Sequence, residues 1–119
     1  MVSRRTDEVA LDDDEVDRLF RALADATRRD ILRRTLTGES TVSELADHYD
    51  MSFAAVRKHV NVLEEAGLIS DHRIGRERRI RGDVDAIRRA QSLLDGFEDI
   101  WRGRIDRLDA LLAEEQHHA

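Results

Sequence analysis

Neither cysteine nor proline occurs in the 119 residues, and the aromatics amount to one tryptophan, one tyrosine and three phenylalanines. Without thiols there can be no disulfide, thiolate-held metal or cysteine nucleophile, and the composition suits a reducing compartment. Without proline, six glycines are left to punctuate the chain, together with Asp50. A core with so few rings must be assembled from Leu, Ile, Val and Ala. The apolar runs are too short to span a bilayer, and the charged N-terminus lacks a signal-peptide apolar stretch. A soluble, cytoplasmic protein with no membrane partner is the expectation. No glycine-rich phosphate loop, nucleophile–base pairing or metal constellation is visible. The sequence therefore predicts no enzyme, no catalytic residue, no cofactor and no metal.

What remains is a small, highly charged chain. Charged residues reach 39%, apolar residues 40%, and the net charge is −6. An acidic balance opposes a nucleic-acid partner, but its distribution reverses that inference. Seven acidic residues and no basic ones lie between Asp7 and Asp17, whereas five arginines stand against Glu77 alone between Arg73 and Arg81. DNA responds to the field within a Debye length of roughly 8–10 Å, not to the sum over the protein. Lys58 is the only lysine, and arginine is the better bidentate partner for phosphate and guanine. A GC-rich genome would give the same bias.

The periodicities predict an acidic flexible arm over residues 1–12, one domain over 13–115 and a tail over 116–119. Val16, Leu19, Phe20 and Leu23 form the stripe of a first helix. Asp25 caps a second, with Ile31, Leu32 and Leu36 inward and Gly38 at its end. Thr41 and Glu44 make a capping box opening a third, with Val42, Leu45, Ala46 and Tyr49 in its core. Asp50 falls in a turn expected to want left-handed backbone. Ser52 caps a fourth helix running to about Ala66 and stopped by Gly67. Ile69–Ile74 and Arg78–Arg81 read as paired strands around Gly75-Arg76-Glu77. Phe97, Trp101, Ile105, Leu108 and Leu112 then form an apolar seam on a last helix. The fold class is mainly α with a small β-hairpin, in the order α-α-α-α-β-β-α, a winged helix-turn-helix.

Chemistry concentrates on the fourth helix. Val56, Val60 and Leu63 share one side, reinforced by Ala55 and Ala66, while Ala54, Arg57, Lys58 and Asn61 share the other, with Phe53 near the N-terminus. Ser52 and the free N–H groups of that end suit phosphate. Arg57 matches guanine O6 and N7, Asn61 matches adenine, and Phe53 matches a thymine methyl. Lys58 and His59 fit phosphate better than base edges. A solvated face of an ordinary amphipathic helix would show the same pattern. Capped helix, tight turn and basic hairpin in this order favour double-stranded DNA. On the hairpin Arg76 and Arg78 sit at the tip, placed for phosphate or a minor groove. Arg28, Arg29, Arg33 and Arg34 read as solvated decoration.

The segments LADATRRDIL (Leu23–Leu32), VSELA (Val42–Ala46), MSFAAVRKHVNVLEEAGLI (Met51–Ile69) and GRERRI (Gly75–Ile80) resemble the ArsR/SmtB family of winged-helix repressors. The resemblance covers about Asp17 to Asp83. It implies a homodimer on a pseudo-palindromic operator, with the first and last helices at the dimer interface: Leu19, Phe20, Leu23, Phe97, Trp101, Ile105, Leu108 and Leu112. Trp101 is expected to pack there against Phe20 and Leu23, with the wall of an effector pocket as the other reading. The chain departs from metal-sensing relatives. Ser43 and its neighbours offer no thiol, and Asp99, Asp106 and Glu114 lack histidines at ligand spacing. His117 and His118 are adjacent and do not share a helix face. His48 and His72 stand apart from other ligands, while His59 is expected to face DNA or pack beneath its helix. Gly82 stands where relatives carry an apolar strand residue. The effector is left unknown. A winged-helix interaction module without DNA binding is the competing function.

Overall fold

The computed structural model describes residues 11–118. The arm expected over residues 1–12 lies outside that range except for Leu11 and Asp12. Seven elements follow in order: α1 (Asp13–Leu23), α2 (Ala26–Thr37), α3 (Val42–Ala46), α4 (Phe53–Glu65), β1 (Ile69–Ile74), β2 (Glu77–Gly82) and α5 (Val84–His118). The chain divides into two compact units with the boundary after Arg89. The single domain read from the sequence thus comprises a winged first unit and a helical second unit. Helix α5 continues through His118, past residue 116, where the sequence suggested a tail.

Local chemistry explains each helix start. Asp12 does not belong to a loose arm: its carboxylate accepts the Glu15 N–H at 2.8 Å, and Glu15 reaches back to the Asp12 N–H at 3.4 Å. The acidic cluster Asp13, Asp14 and Glu15 then lies in the first turn of α1, where the helix dipole favours negative charge. Asp25 caps α2, Thr41 and Glu44 form the expected box on α3, and Ser52 caps α4 through the Ala55 N–H at 3.1 Å.

Helix α4 ends in a Schellman motif, with Gly67 N–H donating to Glu64 O at 3.0 Å and Leu68 N–H to Leu63 O at 3.0 Å. Gly67 sits at φ 76°, as that motif requires, and Leu63 and Leu68 are both fully buried. Gly38 ends α2 differently, in extended backbone at φ −176°. Asp50 also departs from expectation, because only Gly67 and Gly75 adopt positive φ among the described residues.

The core of the first unit is aliphatic. Leu19 and Ala22 of α1, Ile31 of α2, Leu45 of α3, and Val56, Val60 and Leu63 of α4 are at most 2% exposed, and Ile80 of β2 closes them from the sheet side. Helix α4 packs on all three preceding helices and on β1. Leu36, expected inward, is instead exposed, and Thr35 takes the buried position with its hydroxyl donating to Ile31 O and Leu32 O.

Strands β1 and β2 pair antiparallel from Ile69↔Gly82 to Ile74↔Glu77, which leaves a two-residue loop of Gly75 and Arg76. Glu77 is therefore a strand residue, not part of the turn as the sequence suggested. Gly75 has φ 64° and Arg76 does not have positive φ, the pattern of a type II′ hairpin turn. Ser40 adds a bridge on the other edge of β2 through reciprocal bonds with Ile80.

Gly82 has a steric reason. A Cβ there would stand 2.7 Å from Leu36 Cγ and Cδ2 and 3.1 Å from the Leu36 backbone nitrogen. That close approach lets β2 seat against the end of α2. Gly82→Ala is expected to lower unfolding free energy by about 1–3 kcal/mol through overpacking. Denaturant titration checks this; unchanged stability would mean that Leu36 yields without cost.

Candidate nucleic-acid interface

Helix α4 presents two chemically distinct sides. Val56 and Leu63 are 0% exposed and Val60 is 1% exposed. On the opposite side Phe53 is 49% exposed, Ala54, Lys58 and Asn61 are exposed, and Arg57 is half-buried. Arg57, Lys58 and Asn61 make no side-chain hydrogen bond or ion pair among the described residues. A bare face of two cations, an amide and a ring on a helix anchored by a dry opposite face can meet an external surface without unmaking internal bonds. Ser52 stands at the N-terminal end of this face, its hydroxyl already engaged in capping.

Two more of the sequence-predicted contacts, His59 and Arg78, have internal partners. His59 is half-buried, with Nδ1 3.3 Å from an Arg28 guanidinium nitrogen. Of the hairpin arginines, Arg78 pairs with Asp71 at 2.9 Å, Arg79 lies 3.4 Å from Glu77 and 3.7 Å from Glu44, and Arg81 lies 3.5 Å from Glu39. Asp71, Glu39 and Glu44 come from other parts of the sequence or the opposite strand, so counting Glu77 alone overstated the local positive field. Arg76, at the turn, has no such partner among the described residues, and Arg73 engages only the Gly75 carbonyl. These two are the cations of the hairpin most open to an external anion.

Arg28 and Arg29, expected as decoration, instead cap α1. Arg28 donates to Ala22 O at 2.8 Å and Arg21 O at 2.9 Å, and Arg29 donates to Leu23 O at 2.8 Å. Ala22 O and Leu23 O are carbonyls the helix end leaves without a backbone partner, whereas Arg21 O also accepts the Ala24 N–H at 3.2 Å. The signal was present in the sequence as two arginines shortly after an aspartate cap, but it required knowing the angle between α1 and α2.

A second brace holds the turn before α4. Tyr49 lies beyond α3, not in its core, and its hydroxyl donates to Asp30 Oδ2 at 2.6 Å. Arg34 Nε donates to the same oxygen at 2.9 Å, and Arg33 reaches Oδ1 at 3.0 Å. The Tyr49 hydrogen bond, then that of Arg34, holds the Asp30 carboxyl below its ordinary pKa, while burial pushes the Tyr49 phenol up to about 12. Asp30 is depressed in the folded state, so its contribution is present above the unfolded aspartate value of about 3.9 and fades as pH falls through the lower folded value. Melting temperature should therefore drop less steeply in acid for Tyr49→Phe than for the parent. Parallel acid limbs would contradict the brace.

Not all the proposed interface between copies is exposed in the same way. Leu19 is 2% exposed and belongs to the protomer core, because it shares the inward side of α1 with Ala22. Phe20 is 36% exposed and Leu23 half-buried. In the second unit Phe97, Trp101, Ile105, Leu108 and Leu112 are solvent-facing, and so are Leu94, Ile100 and Leu111, which the narrower sequence seam omitted. At 100° per residue the eight occupy an arc of about 140°. Arg104 lies over the Trp101 ring at 5.9 Å. No group of three His, Cys, Asp or Glu residues suited to a metal occurs among the described residues, and no described helix is long and apolar enough to cross a membrane.

Comparison with known proteins agrees with this geometry. A helix-turn-helix domain model matches residues 23–72. The transcriptional repressor SdpR of Bacillus subtilis is 40% identical over 57 residues, 48% of this chain and 63% of its own length. A crystal structure of an ArsR family transcriptional regulator superposes with a TM-score of 0.72 at 34% identity, covering 78% of this chain and 96% of that one. The homodimeric winged helix-turn-helix DNA-binding domain from Mycobacterium bovis, solved by NMR, gives a TM-score of 0.57 at 27% identity, covering 73% of this chain and 82% of that one. These relatives are described as transcriptional regulators or repressors, and the Mycobacterium bovis structure as a DNA-binding domain. This chain belongs to the ArsR family of winged helix-turn-helix transcriptional regulators.

Proposed function

We propose that the protein is a homodimeric repressor that lays α4 in the major groove of a pseudo-palindromic operator and acts in the cytoplasm. The observation that carries this reading is the face of α4 whose Arg57, Lys58 and Asn61 have no side-chain partner among the described residues, opposite buried Val56, Val60 and Leu63. Arg57 and Asn61 read base edges, Phe53 and Ala54 take apolar contact, and Lys58 and the helix N-terminus at Ser52 meet phosphates. Arg76 and Arg73 engage the flanking backbone, joined by Arg78 where phosphate displaces or supplements Asp71, and by His59 through Nε2, with Nδ1 left to Arg28.

The second copy covers the apolar arc of α5, with Phe20 and Leu23 of α1 contributing. Eight exposed apolar side chains on one helix exceed what a monomer ordinarily leaves to water. The homodimeric relative supports this assembly, and SdpR supports repression. Residues 13–115 make up the working domain, with an acidic arm before it.

The pairing of Arg78, Arg79 and Arg81 with carboxylates favours a second reading, a winged-helix interaction module that does not bind DNA. A salt titration separates the two. The repressor reading expects measurable affinity for mixed-sequence duplex at low salt, with log K falling linearly against log salt at a slope near 0.9 per phosphate contacted. Absence of binding at about 50 mM salt, where such contacts are strongest, would favour the interaction module.

A further inference from the structure

Arg28 uses every edge of its guanidinium. Nε donates to Ala22 O at 2.8 Å, one terminal nitrogen to Arg21 O at 2.9 Å, and the other faces His59 Nδ1 at 3.3 Å. Its backbone N–H is held as well, by the capping Asp25 carboxylate at 3.0 Å. A guanidinium only donates, so a hydrogen bond here takes Nδ1 of His59 as the acceptor. One planar group thus joins the C-terminus of α1, the N-terminus of α2 and the middle of α4.

We infer that the Arg28–His59 contact is a positioning device that fixes the recognition helix α4 relative to α1, and thereby sets the half-site spacing the dimer accepts. The inference rests on the dimeric DNA-reading function proposed above. Helix α1 carries Phe20 and Leu23, the residues of the first unit assigned to the interface between copies. A rigid tie from that helix to α4 therefore fixes how far each reading face stands from the two-fold axis. Dimeric helix-turn-helix proteins convert that distance directly into operator spacing. Hydrophobic packing of Val56, Val60 and Leu63 holds α4 down, and the Arg28–His59 contact adds a directional constraint along the side of the helix that faces α1 and α2. Lysine could not replace Arg28, having one nitrogen for three separated acceptors.

The test uses the duplex that the parent protein enriches from a randomised pool, with versions carrying one base pair inserted or deleted between half-sites. For the parent, each spacing change should cost at least about tenfold in affinity, within the range of a single mismatched base pair. In His59→Leu, which leaves both Arg28 bonds to α1 in place, this spacing penalty should shrink severalfold, whatever happens to affinity for the original duplex. His59→Asn places Oδ1 where Nδ1 stood, restores an acceptor for Arg28 and should restore the penalty. The inference is overturned if His59→Leu keeps the parental penalty, or if His59→Asn behaves like leucine. Circular dichroism of both variants ensures that folded protein is compared. Should the parent itself enrich no two-part site, the dimeric operator reading fails first, an outcome distinct from loss of the positioning role.

Discussion

Trp101→Asp is expected to yield a monomer that no longer holds its operator. The indole is 56% exposed in the protomer, within an apolar arc that runs along the helix from Leu94 to Leu112. Once a second copy covers that arc, an unpaired carboxylate would be buried among apolar groups, and the contact of an aromatic anchor would be lost. Central tryptophans of this kind commonly contribute about 2–4 kcal/mol to association. At 1.4 kcal/mol per decade that is about 30- to 1000-fold in the dimer dissociation constant. Sedimentation equilibrium of parent and variant reads it directly. The helix itself should survive, since the side chain already faces solvent in the isolated chain. A variant that dimerises like the parent would place the interface elsewhere.

Arg57→Ala carries the second large effect. Arg57 makes no internal bond among the described residues, so its removal leaves nothing unpaired inside the protein. If it forks onto guanine, operator affinity falls by about 1–3 kcal/mol and discrimination relaxes at one base pair. Lys58→Ala should instead weaken all sequences alike and reduce the salt slope by about one contact. Equal loss on every sequence for Arg57→Ala would reassign it to phosphate. Fluorescence anisotropy against a set of single-base variants of the operator distinguishes the two patterns.

Much of this was legible beforehand because the signals are local. Caps at Asp25, Thr41 and Ser52, the stop at Gly67 and the strand Ile69–Ile74 each depend on a few neighbouring residues, and each occurs where the sequence places it. The two faces of α4 followed from helical periodicity for the same reason. What escaped was tertiary. Leu19 and Phe20 are adjacent, and only the packing of α1 decides which enters the core. Thr35, not Leu36, is buried, and Leu36 lies instead beside Gly82 of β2, a contact between segments far apart in sequence. Charge counting along the hairpin missed Glu39 and Glu44, which reach Arg81 and Arg79 from elsewhere in the chain. Likewise the engagement of His59 by Arg28 spans 31 residues, beyond any local rule.

The wing arginines also suggest how modest affinity and selectivity would arise together. Phosphate must compete with Asp71 for Arg78 and with Glu39 for Arg81, which weakens attraction to any duplex equally. Among the described residues Arg76 and Arg73 are the hairpin arginines without a carboxylate partner, and on the proposed reading discrimination falls to α4. Such a balance suits a protein with a net charge of −6 that must still find DNA.

The most direct test of the central claim is selection of duplexes by the purified protein from a fully randomised pool. Two copies presenting α4 about a two-fold axis should enrich a single inverted repeat, its half-site centres about 10–10.5 bp or a multiple apart. Substitutions at Arg57 and Asn61 should alter that repeat, whereas substitutions at Arg76 should not. Enrichment of no sequence, or of a motif without two-fold symmetry that is indifferent to Arg57 and Asn61, would contradict the account.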